Sequence, residues 1–78
     1  MNAKAYQLTL RIDLENSAFA GGERAMETAR ILRRLAERLE DSEREAFVNR
    51  ERLEGPLFDR NGNCVGDYKA AVRTYRNV

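Results

Sequence analysis

Apolar and polar residues alternate along the first part of the chain and predict a β-strand. The alternation covers residues 6–14, with Tyr6, Leu8, Leu10, Ile12 and Leu14 on one side and Gln7, Thr9, Arg11 and Asp13 on the other. In a strand, successive side chains point to opposite faces of the sheet. We therefore predict a strand with one face in the core and the other in water, which favours an antiparallel or mixed sheet.

A helical period follows from about Gly22 to Asp41. Its apolar residues recur at spacings of three and four, which collects them into one stripe with Ile31 at its border. The stripe consists of Ala25, Met26, Ala29, Leu32, Leu35, Ala36 and Leu39. We predict a long helix whose stripe packs on the inward face of the first strand. Ala18 and Phe19, in the intervening connection, are expected at the edge of the core.

The charged segment of residues 40–54 has two interpretations. It forms a second short helix, or it continues the long helix past a kink near Ser42. Its sparse apolar side consists of Ala46, Phe47, Val48 and Leu53. Gly55-Pro56 is expected to end either helix, because proline cannot continue a helix and glycine favours its C-terminal end.

The pair Asn61-Gly62 predicts a β-hairpin later in the chain. Both residues tolerate the positive φ angles of a two-residue type I′ turn. Residues 57–60 lead into the turn and the returning strand runs through residues 67–72. Toward Arg76 the alternation weakens, and a short final helix is the alternative there.

This order of elements predicts a single α+β domain over residues 1–78. Its small antiparallel or mixed sheet consists of the N-terminal strand and the C-terminal hairpin. One long helix covers one face of the sheet, and the segment after it adds the optional short helix. A domain of this size has a thin core, which favours a surface function over an interior ligand pocket.

Composition restricts the functional classes. The chain lacks histidine, which is the most common general base and the most common transition-metal ligand. Cys64 is the only cysteine, so neither an internal disulfide nor a structural zinc site is expected. We therefore predict a protein that is not an enzyme and has no cofactor, metal site or catalytic residue. No apolar run is long enough to span a membrane, so the expected location is the cytoplasm.

Arginines form a ridge on the outer face of the predicted helix. The chain is nearly balanced, with 14 basic and 13 acidic residues. Arg30, Arg34 and Arg38 nevertheless follow one another at spacings of four, where like charges repel. An anionic partner, either nucleic acid or an acidic protein surface, relieves that repulsion. The alternative is a solvated face on which glutamates such as Glu37 pair with the arginines.

Four stretches of the sequence carry a resemblance to known proteins. They are LTLRID at residues 8–13, NSAF at 16–19, ARILRRLAERLE at 29–40 and LFDRNGNCVG at 57–66. With these stretches the chain resembles short uncharacterised accessory proteins of phages and other bacterial mobile elements. Some small proteins of this kind inhibit host defence, including anti-CRISPR proteins. The resemblance implies an accessory role and carries over no functional residue; residues 41–55 depart from the pattern.

We accordingly expect a small non-enzymatic protein-binding factor. The expected partner is a host protein or complex, and inhibition of a defence complex such as CRISPR–Cas is one such role. The alternative is a nucleic-acid-binding module that uses the arginine ridge. A homodimer joined through an exposed sheet edge, or through Phe47 and Val48, is compatible with both. The predicted partner-binding residues are Arg30, Arg33, Arg34, Arg38, Phe47 and Arg50.

Overall fold

The chain folds as a three-stranded antiparallel sheet with one long and one short helix, which confirms the predicted α+β class. The structure is a computed structural model and describes residues 2–76. In chain order the elements are β1 (Asn2–Ile12), a 3₁₀ turn (Ser17–Phe19), α1 (Arg24–Asp41), α2 (Arg44–Val48), β2 (Leu53–Phe58) and β3 (Cys64–Arg76). Among the described residues, no helix is long and apolar enough to cross a membrane.

The last strand lies in the middle of the sheet, whose order is β1-β3-β2. Leu53, the first residue of β2, is opposite Ala70 of β3, and Ala70 is opposite Leu8 on the other side. Beyond that level β3 continues with β1 alone, so residues 2–7 and 71–76 form a two-stranded extension that we call the ribbon arm. The final segment is therefore strand, and the alternative of a final helix is wrong.

The core lies between α1 and the half of the sheet formed by β2 and β3. Asn16 begins the 3₁₀ turn by accepting a hydrogen bond from the amide of Ala18, and this places Ala18 and Phe19 in the core, as predicted. Tyr68 and Phe19 are the largest side chains that are fully buried. The buried cluster consists of Ala18, Phe19, Ile31, Leu35, Leu57, Val65 and Tyr68.

The buried stripe of α1 differs from the predicted one. Ile31, expected at the border, is buried together with Leu35, whereas Met26 is 71% exposed and Leu32 is 41% exposed. The reason is that α1 lies over β2 and β3 rather than over β1. The side of the helix that faces the sheet is therefore the one with Ile31 and Leu35, next to the arginines. The expectation that the whole stripe packs on the first strand is wrong.

The inner face of β1 is consequently only partly covered. Leu8 and Leu10 are 39% and 37% exposed, although they share a face with the buried residues Ala70 and Tyr68 that they pair with. We call β1 with this face the open half of the sheet. The closed half is β2 and the part of β3 beneath α1.

The segment after α1 corrects two further expectations. Residues 44–48 form a separate short helix, but Gly55-Pro56 lies inside strand β2 instead of ending a helix. Proline is tolerated there because β2 is an edge strand. The hairpin turn is not type I′, since Gly62 has a positive φ of 83° and Asn61 does not. Asp59 closes this longer loop by accepting hydrogen bonds from the amides of Asn61 and Asn63.

Candidate functional site

The arginine ridge lies along the edge of β2. Because Arg30, Arg34 and Arg38 are spaced by four residues, they share the flank of α1 that faces this strand. With Arg60 from the hairpin loop they line a groove of about 340 Å³ between α1 and β2. Arg30 and Arg38 donate hydrogen bonds to the backbone carbonyls of Phe58 and Pro56, respectively. Two of the three ridge residues therefore bind the sheet edge of their own chain.

Arg30 is held by a buried carboxylate. Its guanidinium contacts Glu27 through two hydrogen bonds, with Nε 2.7 Å from Oε1 and Nη2 3.0 Å from Oε2. The backbone amide of Arg60 donates to the same carboxylate at 2.7 Å. The hydrogen bond from Arg30 lowers the pKa of Glu27 below its ordinary value, against the opposing effect of burial. Glu27 therefore stays ionised in the core and connects α1 to the hairpin loop.

Arg38 covers the aromatic ring of Tyr68. Its guanidinium carbon lies 5.2 Å from the ring centroid, within the range of a cation–π interaction. The tyrosine hydroxyl lies 3.1 Å from both carboxylate oxygens of Glu43, and Arg38 approaches Glu43 at 3.7 Å. Burial, and then the hydrogen bond to Glu43, raise the pKa of Tyr68. Gly55 lies beneath this group, where a Cβ atom would be only 3.0 Å from the Tyr68 ring.

Arg33 and Arg34 are exposed on α1, as is Arg38. Neither Arg33 nor Arg34 forms an ion pair with a described residue, so the alternative in which they pair with Glu37 is not observed. By contrast Arg30 is paired with Glu27, Arg38 with Glu43 and Arg60 with Glu23. The groove therefore carries less net positive charge than the count of its arginines suggests.

Asp59 is a second buried carboxylate that the sequence pattern did not single out. Besides the two loop amides it accepts a hydrogen bond from the side chain of Asn16 at 2.7 Å, which joins the hairpin loop to the connection after β1. Burial acts to raise the pKa of Asp59, but these hydrogen bonds outweigh it and the pKa is lowered. The signal in the sequence is the Asp-x-Asn-Gly-Asn loop itself, since aspartate favours turns in which it binds the following amides.

A notch separates the end of α1 from α2. Its volume is about 510 Å³, and we call it the helix notch. The lining residues are Leu39, Glu40, Asp41, Arg44, Phe47 and Val48. Leu39 and Phe47 are half-buried, while Val48 projects with 72% of its surface exposed. The notch thus has apolar walls and a charged rim.

Tyr6 of β1 anchors the segment that carries the notch. Its ring packs edge-on against Phe47, with ring centroids 5.3 Å apart, and its hydroxyl donates to the carbonyl of Glu51 at 2.7 Å. The guanidinium carbon of Arg50 lies 5.9 Å from the centroid of the same ring. Arg50 has a φ of 61°, which is uncommon for a residue other than glycine and is typical of strained or functional positions.

The predicted partner-binding residues therefore form two groups. Arg30, Arg34 and Arg38 line the groove beside β2, whereas Phe47 and Arg50 belong to the segment around the helix notch, and Arg33 is exposed on α1. The structure brings the members of each group together, and their role in binding stays a prediction. Sequence reasoning missed Glu27 and Asp59 as buried centres, because acidic residues in a first helical turn or a loop are usually exposed.

Within residues 2–76 no group of three or more acidic or cysteine side chains is arranged to hold a metal ion. Comparison of the chain with models of protein families, with curated proteins and with solved structures finds no match.

Proposed function

We propose that the chain is a non-enzymatic accessory factor that binds another protein through the helix notch. The observation that carries the proposal is the exposure of Val48 beside the half-buried Leu39 and Phe47. Protein interfaces commonly combine an apolar centre with a polar rim, and their binding energy concentrates in side chains that fill such pockets. Glu40, Asp41 and Arg44 supply the rim.

The surroundings of the notch support binding rather than catalysis. The notch is open and its walls come from α1 and α2. Tyr6 holds the α2 side through Phe47 and Glu51. A rigid support limits the entropy lost when a partner orders the surface. The strained backbone of Arg50 lies in the same segment, where such strain is consistent with a function that needs this geometry.

Nucleic acid binding through the arginine ridge is the weaker candidate. Arg30 and Arg38 are paired with Glu27 and Glu43 and donate to β2 carbonyls, so phosphate contacts would compete with contacts inside the fold. Arg34 is the ridge member without an ion pair in the described part of the chain. One unpaired ridge arginine supplies little of the charge that a phosphate backbone needs.

The partner class comes from the resemblance to phage and mobile-element proteins. We propose that the partner is a bacterial host protein or complex. A defence complex such as CRISPR–Cas is the first candidate partner to test. In that role the chain acts by covering a surface of the complex. The acidic and basic rim residues of the notch then set its orientation, since complementary charges at a rim favour one docking geometry.

The experiment is an affinity pull-down from bacterial lysate and from a purified defence complex, with and without nuclease. The test variant is Val48→Asp, which places a charge in the notch at an exposed position. The matched control is Met26→Asp, since Met26 is equally exposed on α1 but lies outside the notch. A third variant, Arg34→Glu, tests the arginine ridge.

We expect the pull-down to recover a protein in stoichiometric amount, also after nuclease treatment. Its recovery is expected to be lost with Val48→Asp and retained with Met26→Asp. Retention of that protein by Val48→Asp contradicts the role of the notch. Recovery of nuclease-sensitive material alone, reduced by Arg34→Glu and by added salt, replaces the proposal with nucleic-acid binding.

A further inference from the structure

The two outer strands of the sheet differ in how their free backbone groups are treated. In β2 the outward-facing carbonyls of Pro56 and Phe58 accept hydrogen bonds from Arg38 and Arg30. Pro56 has no backbone N–H to present, and an irregularity in the pairing with β3 lies between Leu57 and Phe58. Short strands, proline and irregular pairing are features that protect a sheet edge from further pairing. The β2 edge is therefore closed.

The β1 edge has none of these protections. It spans 11 residues without proline or irregular register, and within the described residues it pairs with β3 alone. The amide of Asp13, just after β1, donates to the carbonyl of Val65 on β3. This hydrogen bond shows which residues of β1 turn their backbone groups toward β3. Backbone direction alternates along a strand, so the odd-numbered residues of β1 bond to β3. The even-numbered residues, from Lys4 to Ile12, therefore direct their N–H and C=O groups outward.

This free edge is continuous with apolar surface and with the weakest part of the sheet. Leu8 and Leu10 lie on the inner face of β1 and are more than a third exposed. Beyond them the ribbon arm has only two strands, and isolated two-stranded ribbons are marginally stable in water. An occupant that suits this surface supplies a long strand with one apolar face.

We infer that the occupant is a second copy of this chain, whose β1 pairs antiparallel with the first β1 across a two-fold axis at Gln7. This register overlaps all 11 residues, a contact about 36 Å long at about 3.3 Å per residue. It joins the two sheets into one of six strands and gives each ribbon arm a third strand. Two-fold symmetric pairing of one surface with itself is the commonest form of protein dimer.

The pattern of β1 is complementary to itself in this register. Around Gln7 an even-numbered residue always faces an even-numbered one, so inner faces meet inner faces and the outward backbone groups face each other. Leu8 then lies opposite Tyr6 of the second copy and Leu10 opposite its Lys4, whose aliphatic stem covers apolar surface. Arg11 lies opposite Ala3 of the second copy. The two positive charges of β1 therefore never face each other.

The test is sedimentation equilibrium combined with cysteine crosslinking in a Cys64→Ser background. The full chain is expected to sediment at twice its 9.0 kDa mass. Gln7→Cys lies on the axis in a non-hydrogen-bonded pair, where Cα atoms about 4.5 Å apart permit a disulfide. The matched control Thr9→Cys lies on the same face, but its two copies are about 14 Å apart along the strands, too far for a disulfide.

Efficient oxidation of Gln7→Cys to a covalent dimer, with Thr9→Cys remaining monomeric under the same oxidation, supports the inference. A 9.0 kDa species at all concentrations, or a reversed crosslinking pattern, overturns it. As a second measurement, Gln7→Lys and Gln7→Glu are each expected to dissociate and to form a heterodimer when mixed, which a folding defect would not do. Val48→Asp is expected to dimerise normally, so failure of the helix-notch proposal and failure of the dimer are separate results.

Discussion

The closed and open halves of the sheet differ in how far their inner face and their outer strand edge are covered. In the closed half, α1 covers the inner face with Ile31 and Leu35, and its arginines cover the β2 edge. In the open half, the inner face keeps Leu8 and Leu10 partly exposed, and no strand within residues 2–76 pairs with the outer edge of β1. A single helix is wide enough for about two strands of this sheet. The arginine ridge therefore stabilises the fold in the first place, and the surface left available lies at the β1 side of the sheet.

The largest expected effect compares two leucines on the same helix. Leu35→Ala removes a buried side chain of the closed half and is expected to lower the free energy of unfolding by about 3 kcal/mol. Leu32→Ala removes a side chain of the same helix that is 41% exposed and is expected to cost under about 1 kcal/mol. Urea denaturation at one fixed protein concentration measures both. Equal losses for the two variants contradict the orientation of α1 on the closed half.

The buried carboxylate of the closed half gives the next effect. Glu27→Gln weakens the hydrogen bonds from Arg30 and from the Arg60 amide and is expected to lower the free energy of unfolding by about 2 kcal/mol. Glu37→Gln, an exposed change on the same helix, is the control and is expected to be neutral. A neutral result for Glu27→Gln itself contradicts the role of this carboxylate in joining α1 to the loop.

Acid is expected to act through the same carboxylate and through Asp59. Their pKa values in the fold lie below the ordinary values of 4.5 and 3.8, so the unfolded chain takes up protons first as the pH falls. Their stabilisation is complete well above pH 4.5 and is lost as the pH falls through the lowered values. The free energy of unfolding, measured by circular dichroism at a series of pH values, is expected to fall less steeply with decreasing pH in Glu27→Gln. An unchanged profile contradicts this contribution of Glu27.

The smallest effect concerns the closed edge. Arg38→Met removes the cation–π contact with Tyr68 and the hydrogen bond to Pro56, while its unbranched stem still covers the ring. A loss of about 1 kcal/mol in the free energy of unfolding is expected. Arg34→Met is the matched control in the same groove and is expected to change it by less than about 0.5 kcal/mol. Equal effects of the two variants contradict the special role of Arg38 at the edge.

The sequence predicted the elements better than their arrangement. Alternation in residues 6–14 and the three-and-four spacing of residues 25–39 are local signals, and they identified β1 and α1. The rotation of α1 was not predictable from its own stripe, because Leu32 and Ile31 are equally apolar and the sheet decides which is buried. Glycine and proline suggested a helix end at residues 55–56. The segment is instead an edge strand, which tolerates proline because it pairs with β3 on one side only, and a local rule does not show that pairing.

The candidate site was harder to predict than the fold. The spacing of Arg30, Arg34 and Arg38 correctly placed them together, but on the outer face of α1 instead of the flank beside β2. Repulsion between their like charges suggested an external anion. The structure supplies internal acceptors from distant positions, namely Glu43 and the carbonyls of Pro56 and Phe58. The helix notch depends on the angle between α1 and α2, which Ser42 and Glu43 determine and which residue periodicity does not encode.

The central position of β3 also governs the order in which the chain can fold. β1 and β2 are not neighbours in the sheet, so β1 has no strand to pair with until β3 has been synthesised, more than 50 positions later. The hairpin of β2 and β3 closes a short loop, whereas docking of β1 closes a long one at a higher entropic cost. We expect β1 to wait at the ribosome as an unpaired apolar segment and to join last. The strand that pairs with a second copy is thus the last strand to dock into the sheet. Until it docks, it can pair with neighbouring nascent chains.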